Sequence, residues 1–397
     1  MSSRQAMPEM TRSKLAQVGL FPTGGIQSTQ TPAMECTSYL VDTFDQLPPI
    51  NEESLADIDN DLFSGLYYGG VDTPTTRQLS QRVADLEKGK FAVLTPSGQS
   101  AFNLLLTTFV KPGDHVLAGD TIVYSTRWLL NHFENIGVKI EYFTPSEAAT
   151  LKNKLTLKTK LIIFENPGAF TYEVMNINAI VESRHDHPAL IVADNTWAAS
   201  LFHHPLSLGA DISLISMSKY HGAVEGISLG ALITKRKDLY VNLKTTSALT
   251  GNHVSSHACS AAIRSISTLG ARLSFQMSTT RKVLRSLKPL PLLKQAIHPI
   301  LQNTELHLQN SMIYGFNSLF TVEFSCSRNE LISRLNRLNL IKIGYGWGGT
   351  TSLVNLIDTR DMPSAKRLGI NSECARIYLG LEDPDELTRD LTNAFTQ

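Results

Sequence analysis

The stretch DISLISMSKYHGAVEGISLGALIT, residues 211–234, sets Lys219 just after one apolar run and before another, with the hydroxyls of Ser216 and Ser218 beside it. A desolvated lysine of lowered pKa is a nucleophile able to form a Schiff base; one that snorkels from a strand end to solvent is not. In ADNTW, Asp194 closes the apolar run ALIVAD, where a partly desolvated carboxylate needs a cationic or N–H partner or else caps the next turn. In TPSGQSAF, Thr95 to Gly98 end one element and open a helix. Ser97, Gly98 and Gln99 there form either a plain helix cap or an anion site built from free N–H groups and the helix dipole.

Taken together, a phosphate cradle that includes Ser216 and Ser218, a carboxylate and an amine match three parts of pyridoxal 5'-phosphate: its phosphate, its pyridine nitrogen and its aldehyde. No member of the set is specific alone; the conjunction is.

The elements that must position these groups alternate from about residue 73. FAVLTP (strand), GQSAFNLLLTTFV (helix), KPGD (turn), HVLAG (strand), a helix near 124–136 and VKIEYF (strand) come first. KLIIFE (strand), INAIVESRHD (helix), then ALIVAD, ADISLIS and SLGALIT (strands) follow. Near-continuous apolar strands are covered on both faces, which predicts an α/β fold with a mostly parallel, doubly wound sheet. In such a sheet ligands sit beyond the carboxyl ends of the strands, where these residues fall. After about residue 265 a long helical pattern, ARLSFQMSTTRKVLRSL, precedes short strands NSLFTVEFS and ARIYLGL flanking a helix at NELISRLNRL. The expected division is an arm over 1–72, a large domain over 73–264 and a smaller C-terminal α+β domain over 265–397. Prolines and glycines interrupt the arm, leaving only short helical hints such as EESLADI, and wrapping a partner subunit suits it.

Bulk properties narrow the function classes. Lysines plus arginines number 36 and acids 36 in 397 residues, so no long-range field draws nucleic acid or anionic membrane. The expected partner is a small molecule or another copy of the chain. Cys36, Cys259, Cys326 and Cys374 lie far apart without a CxxC pair, suggesting neither a zinc site nor a disulfide framework. No signal-like or membrane-length apolar run occurs, so a soluble, cytoplasmic protein is expected, with no metal.

The blocks YYGGVDTPTTRQL, LTPSGQSAF, KPGDHVL, FENPGAFTYEV, ADNTWAASLF, SMSKY, GYGWGGTTSL and ARIYLGLEDPDEL occur in one order and spacing. In these the chain resembles the Cys/Met-metabolism family of pyridoxal-phosphate enzymes (cystathionine β-lyase and γ-synthase), above all the bacterial β-lyases, from about residue 66 to the C-terminus. The resemblance implies the aspartate-aminotransferase-like fold (fold type I), pyridoxal 5'-phosphate as cofactor and a homotetramer. It implies Lys219 as the Schiff-base lysine, Asp194 as the partner of the pyridinium nitrogen, and Gly98 and Gln99 as the phosphate turn. Ser216 and Ser218 become further phosphate ligands. Arg376 becomes the holder of the substrate α-carboxylate, a role suited to a planar guanidinium. Trp347 lines the pocket, and Tyr68 reaches a neighbouring subunit's site. The implied reaction is β-elimination from cystathionine or a related cysteine thioether, giving a thiol, pyruvate and ammonia. A γ-synthase or γ-lyase and a catalytically silent relative are the alternatives.

Four departures from the family pattern stand out. Relatives carry Tyr-x-Arg where this chain has Tyr68, Gly69 and Gly70, so an arginine on the cofactor phosphate is missing; Arg77 and Arg127 are candidate replacements. Ala223, Val224, Glu225 and Gly226 replace the Gly-His-Ser-Asp block after the lysine. The ring-stacking tyrosine is expected at Val123, and Tyr124 next to it is the candidate to take that catalytic and cofactor-binding role through a shifted loop. Gly346 stands where a serine precedes Trp347.

Overall fold

The computed structural model describes residues 9–23, 25–47, 49, 62–290, 292–301, 312–370 and 373–396. Its centre is a seven-stranded sheet built from β3 (Phe91–Thr95), β4 (His115–Gly119), β5 (Lys139–Phe143), β6 (Thr159–Glu165), β7 (Leu190–Asp194), β8 (Ile212–Ser216) and β9 (Gly230–Thr234). The spatial order is β3-β9-β8-β7-β6-β4-β5. Strand β9 pairs antiparallel with both β3 and β8, while the pairs from β8 out to β5 are parallel. The sheet is therefore mostly parallel, as its unbroken apolar runs predict.

Alternate residues of β6 show why those runs exist. Leu161 and Ile163 pack with Leu104, Leu105 and Val116 on one face, and Ile162 and Phe164 pack with Ile177 and Ile180 on the other. A strand with helices on both faces has no solvent side on which to place polar residues.

A second sheet has the order β10-β11-β14-β13-β12, from β10 (Leu293–Ile297), β11 (Leu319–Phe324), β12 (Lys342–Ile343), β13 (Leu353–Ile357) and β14 (Cys374–Tyr378). It is antiparallel except for β12 with β13. Phe320, Val322 and Ile377 bury against Val283 and Leu287 of the helix Leu269–Leu287 and Leu387 and Leu391 of the helix Pro384–Thr396. Sequence reading found β11 and β14 but not β10, β12 or β13, whose half-exposed residues mix polar and apolar side chains.

The N-terminal segment is more ordered than its prolines suggest. It holds a helix, Glu9–Ala16, and a hairpin of β1 (Phe21–Thr23) and β2 (Ile26–Ser28), fastened by the buried side chains of Leu15, Val18 and Phe21. Pro22 is tolerated because a two-stranded hairpin leaves an edge free of ladder bonds. The EESLADI stretch, residues 52–58, lies outside the described residues. The boundary expected at 264/265 falls within the helix Ser256–Ser267.

Candidate active site

Parallel strands end at one edge of the central sheet, and a cavity of about 500 Å³ opens there. Ser97, Gly98, Gln99, Tyr124, Asp194, Ser216, Ser218, Lys219, Trp347 and Arg376 all line it. Ten residues singled out along 280 positions of sequence thus meet in one place. Tyr68 is absent from the lining; it is half exposed and bridges to Ser38.

One end of the cavity is a helix start. Ser97 caps the helix Gly98–Phe109, its Oγ accepting from Ser100 N at 3.0 Å. The N–H groups of Gly98 and Gln99 belong to the first turn, which has no intrahelical acceptors. A Cβ on Gly98 would lie 2.5 Å from Ser216 Cβ, so only glycine lets the helix start close onto the end of β8. Ser218 Oγ lies 3.2 Å from Ser228 Oγ, and Ser228 donates to the carbonyl of Pro96 at 3.0 Å. Because β9 runs antiparallel, Ser228, which precedes it, reaches this same edge. Sequence reading missed Ser228, whose place at the edge depends on that reversed strand.

Across the cavity two carboxylates stand side by side, Asp194 ending β7 and Glu165 ending β6, in register. Asp194 Oδ1 accepts from Thr196 N at 2.9 Å and Thr196 Oγ1 at 2.5 Å, and Thr196 Oγ1 accepts in turn from Ser216 N at 2.8 Å. Burial raises the Asp194 carboxyl above its ordinary value, against the pull of Thr196 and Lys219. Glu165 accepts from Val123 N at 3.0 Å and is pushed well upward by burial, then by the charge of Asp194. Glu165 was not among the expected site residues, yet it closes KLIIFE as Asp194 closes ALIVAD, and the same signal marks both.

Lys219 has its Nζ 5.9 Å from the centre of the Trp347 ring. Burial, and then the charge of Arg376, pull its amine below the usual lysine value, while Asp194 and Glu165 oppose them. Gly348, with φ of +98°, passes so close to Lys219 that a Cβ would lie 2.5 Å from the lysine carbonyl carbon. Arg376 projects from β14, donating from Nε to Asn355 Oδ1 at 3.1 Å and lying 5.4 Å from the Phe170 ring centre. Among the described residues no partner engages its terminal nitrogens. Asn355 is a positioning residue that sequence reading missed because it lies on β13, itself unrecognised.

Val123 is the cap before the helix Tyr124–Asn135, and it is Tyr124 whose ring, near-parallel to Phe170 at 6.5 Å, borders the cavity. Arg77 and Arg127 do not line it: Arg77 engages Asp72 and the Ser64 carbonyl, and Arg127 the carbonyls of Ile122 and Asp361. Gly70 is covered by its own neighbour, since a Cβ there would lie 2.5 Å from Tyr68 Cε1.

Donors converging on a glycine-tight helix start, buried carboxylates and a lysine of lowered pKa suit a cofactor with an anionic phosphate, a basic ring nitrogen and an aldehyde. The residues present therefore fit pyridoxal phosphate. A family model described as Cys/Met metabolism PLP-dependent enzyme matches residues 13–396. The chain belongs to this family of pyridoxal-phosphate enzymes, as its sequence blocks predict. It is similar to an L-alanine/L-glutamate racemase of Wolbachia pipientis, 32% identical over 93% of each chain. It is also similar to the cystathionine β-lyase MetC of Escherichia coli, 29% identical over 84% of this chain and 86% of that one. Among solved structures, metB from Corynebacterium glutamicum superposes with a TM-score of 0.87 at 25% identity, covering 97% of each chain, in keeping with fold type I. No helix among the described residues is long and apolar enough to cross a membrane.

Proposed function

We propose that this enzyme loosens the Cα–H bond of an L-amino acid, and that its reaction is β-elimination of a thioether sulfur, with cystathionine as the type substrate. The observation that carries the reading is the sharing of one cavity by Lys219, of lowered pKa, and the Arg376 guanidinium. Arg376 grips the α-carboxylate and thereby aims the α-hydrogen. Lys219, which would hold the cofactor's aldehyde, takes that proton on Nζ. Asp194 would favour positive charge on the ring nitrogen, and Gly98, Gln99, Ser216 and Ser218 would hold the phosphate. Pyridoxal phosphate supplies the electron sink. In the elimination the Cβ–S pair leaves with the thiolate, and hydrolysis of the remaining three-carbon unit releases pyruvate and ammonia.

One observation favours a second reading. The racemase relative matches over 93% of this chain, whereas the Escherichia coli β-lyase matches over 84%. Racemisation uses the same proton removal but returns a proton to Cα with no leaving group. A product screen with cystathionine, cystine, homoserine esters, L-alanine and L-glutamate separates the outcomes. Pyruvate from cystathionine supports the lyase, and 2-oxobutyrate redirects it to γ-chemistry. D-alanine or D-glutamate without pyruvate replaces it with the racemase.

The same reading makes the protein a cytoplasmic homotetramer with an arm over 1–72, a large domain from 73 and a smaller C-terminal domain that begins after the helix Ser256–Ser267, with Tyr68 serving a neighbouring site. Exposed Leu40 and Phe44 support a covered arm, being 95% and 92% accessible in the single chain. Light scattering tests it, and an active monomer at micromolar concentration contradicts it.

A further inference from the structure

Behind the cavity lies a carboxylate that the reaction does not use. Glu87 follows the helix Pro74–Leu86 and is fully buried. Its two oxygens accept from Asn195 Nδ2 at 3.1 and 2.9 Å, and Oε2 also accepts from Ser213 Oγ at 2.7 Å. The Ser200 hydroxyl also favours the charged form of Glu87, and Ser200 Oγ lies 2.8 Å from His221 Nε2.

Each of these partners belongs to an element that carries a cavity group. Asn195 sits between Asp194 and Thr196 and also donates to the carbonyl of His203 at 2.9 Å. Ser213 lies on β8, which ends at Ser216. His221 is two residues beyond Lys219. Ser200 itself is held at φ of +62°, a left-handed conformation that a serine adopts only when its surroundings fix it.

We infer that Glu87 is a positioning residue that ties the Asp194 turn to the Lys219 turn through Asn195, Ser213 and the Ser200–His221 pair, and so sets the geometry in which the cofactor is held. An apolar or amide side chain at 87 leaves buried donors without an acceptor, a large penalty at a distance from the reacting atoms. Burial raises the Glu87 carboxyl to about 7 against the pull of Ser200, Ser213 and Asn195, with Asp194 the charged group that faces it and His221 reached only through Ser200. Its charge state therefore changes near neutral pH.

The inference rests on the assignment of Lys219 and Asp194 to the cofactor. Apoenzymes of wild type, Glu87→Gln, Ser213→Ala and Val83→Ala are titrated with pyridoxal phosphate, following the visible band against pH and thermal unfolding in parallel. Val83 is a buried residue of the same helix whose side chain makes none of the hydrogen bonds to Glu87, so its truncation reports loss of packing. Glu87→Gln and Ser213→Ala are expected to weaken cofactor binding by about tenfold and to move the pH midpoint of the band. Val83→Ala lowers the unfolding temperature while leaving both unchanged. If Glu87→Gln does not fold, Ser213→Ala decides. Bands and affinities of the Glu87 and Ser213 variants that match wild type overturn the inference, as does an equal shift in Val83→Ala. Failure of borohydride to fix the cofactor on wild-type Lys219 overturns instead the assignment beneath it.

Discussion

The floor and the mouth of the cavity are built differently. At the floor, Asp194, Thr196 and Ser216 follow buried strands and are joined by hydrogen bonds of 2.5–2.9 Å. At the mouth, Tyr345 is 81% exposed and Tyr124 is partly exposed. Gly346, with φ of +97°, and Gly226, with φ of +66°, shape loops beside it. A buried, mutually bonded floor fixes the chemistry common to the family, while an exposed aromatic mouth chooses what enters. Three of the four departures from the family pattern, at Val123, at 223–226 and at Gly346, fall at the mouth or in the loop beside Lys219.

The comparison breaks most sharply at Lys219. Lys219→Ala is expected to lower turnover by about a thousandfold or more, as loss of a positioned base does, with folding intact by circular dichroism. Retained turnover would place the base elsewhere. Next comes Gly98→Ala, which forces a methyl against Ser216 and costs about 1–3 kcal/mol by overpacking. Calorimetry should show the loss together with weaker cofactor binding, because the helix start must withdraw from β8.

Two further substitutions have smaller effects. Gly70→Arg restores the missing guanidinium and should tighten cofactor binding by up to about tenfold, provided the Tyr68 ring swings aside. Unchanged or weaker binding in a cofactor titration means that the position is already served. Glu165→Gln changes a slope rather than a level. Its raised carboxyl contributes stability below the ordinary carboxylate range and loses it as pH rises toward the folded value. Asp194, Lys219 and Arg376 face it and remain in the variant. Apoenzyme stability in Glu165→Gln should therefore fall less steeply with rising pH, by at most about 1.4 kcal/mol per pH unit. Parallel curves for the two proteins would show that the Glu165 carboxyl titrates alike in the folded and unfolded states.

The division between floor and mouth also explains what sequence reading could find. Lys219, Asp194 and Gly98 were legible because each terminates or follows an apolar run, and a doubly wound sheet gathers such ends at one edge. Glu165 obeys the same rule and was passed over. Thr196 sat inside the quoted ADNTW block but shows its role only through its bond to Ser216 on the next strand. Phe170 and Tyr172 border the cavity from an irregular loop at φ of +63° and +51°, where no periodicity announces them. Asn355 and Tyr345 depend on the second sheet, whose short β12 and β13 carry little pattern. Glu87 looks like an ordinary helix-end carboxylate until the fold buries it.

The central claim is that Lys219 holds the cofactor at this edge of the sheet. Borohydride reduction of the protein loaded with pyridoxal phosphate, followed by peptide mass mapping, tests it most directly. The account predicts one pyridoxyl adduct, on Lys219, absent from Lys219→Ala. Label at another lysine, or none in a protein that binds the cofactor, would contradict it.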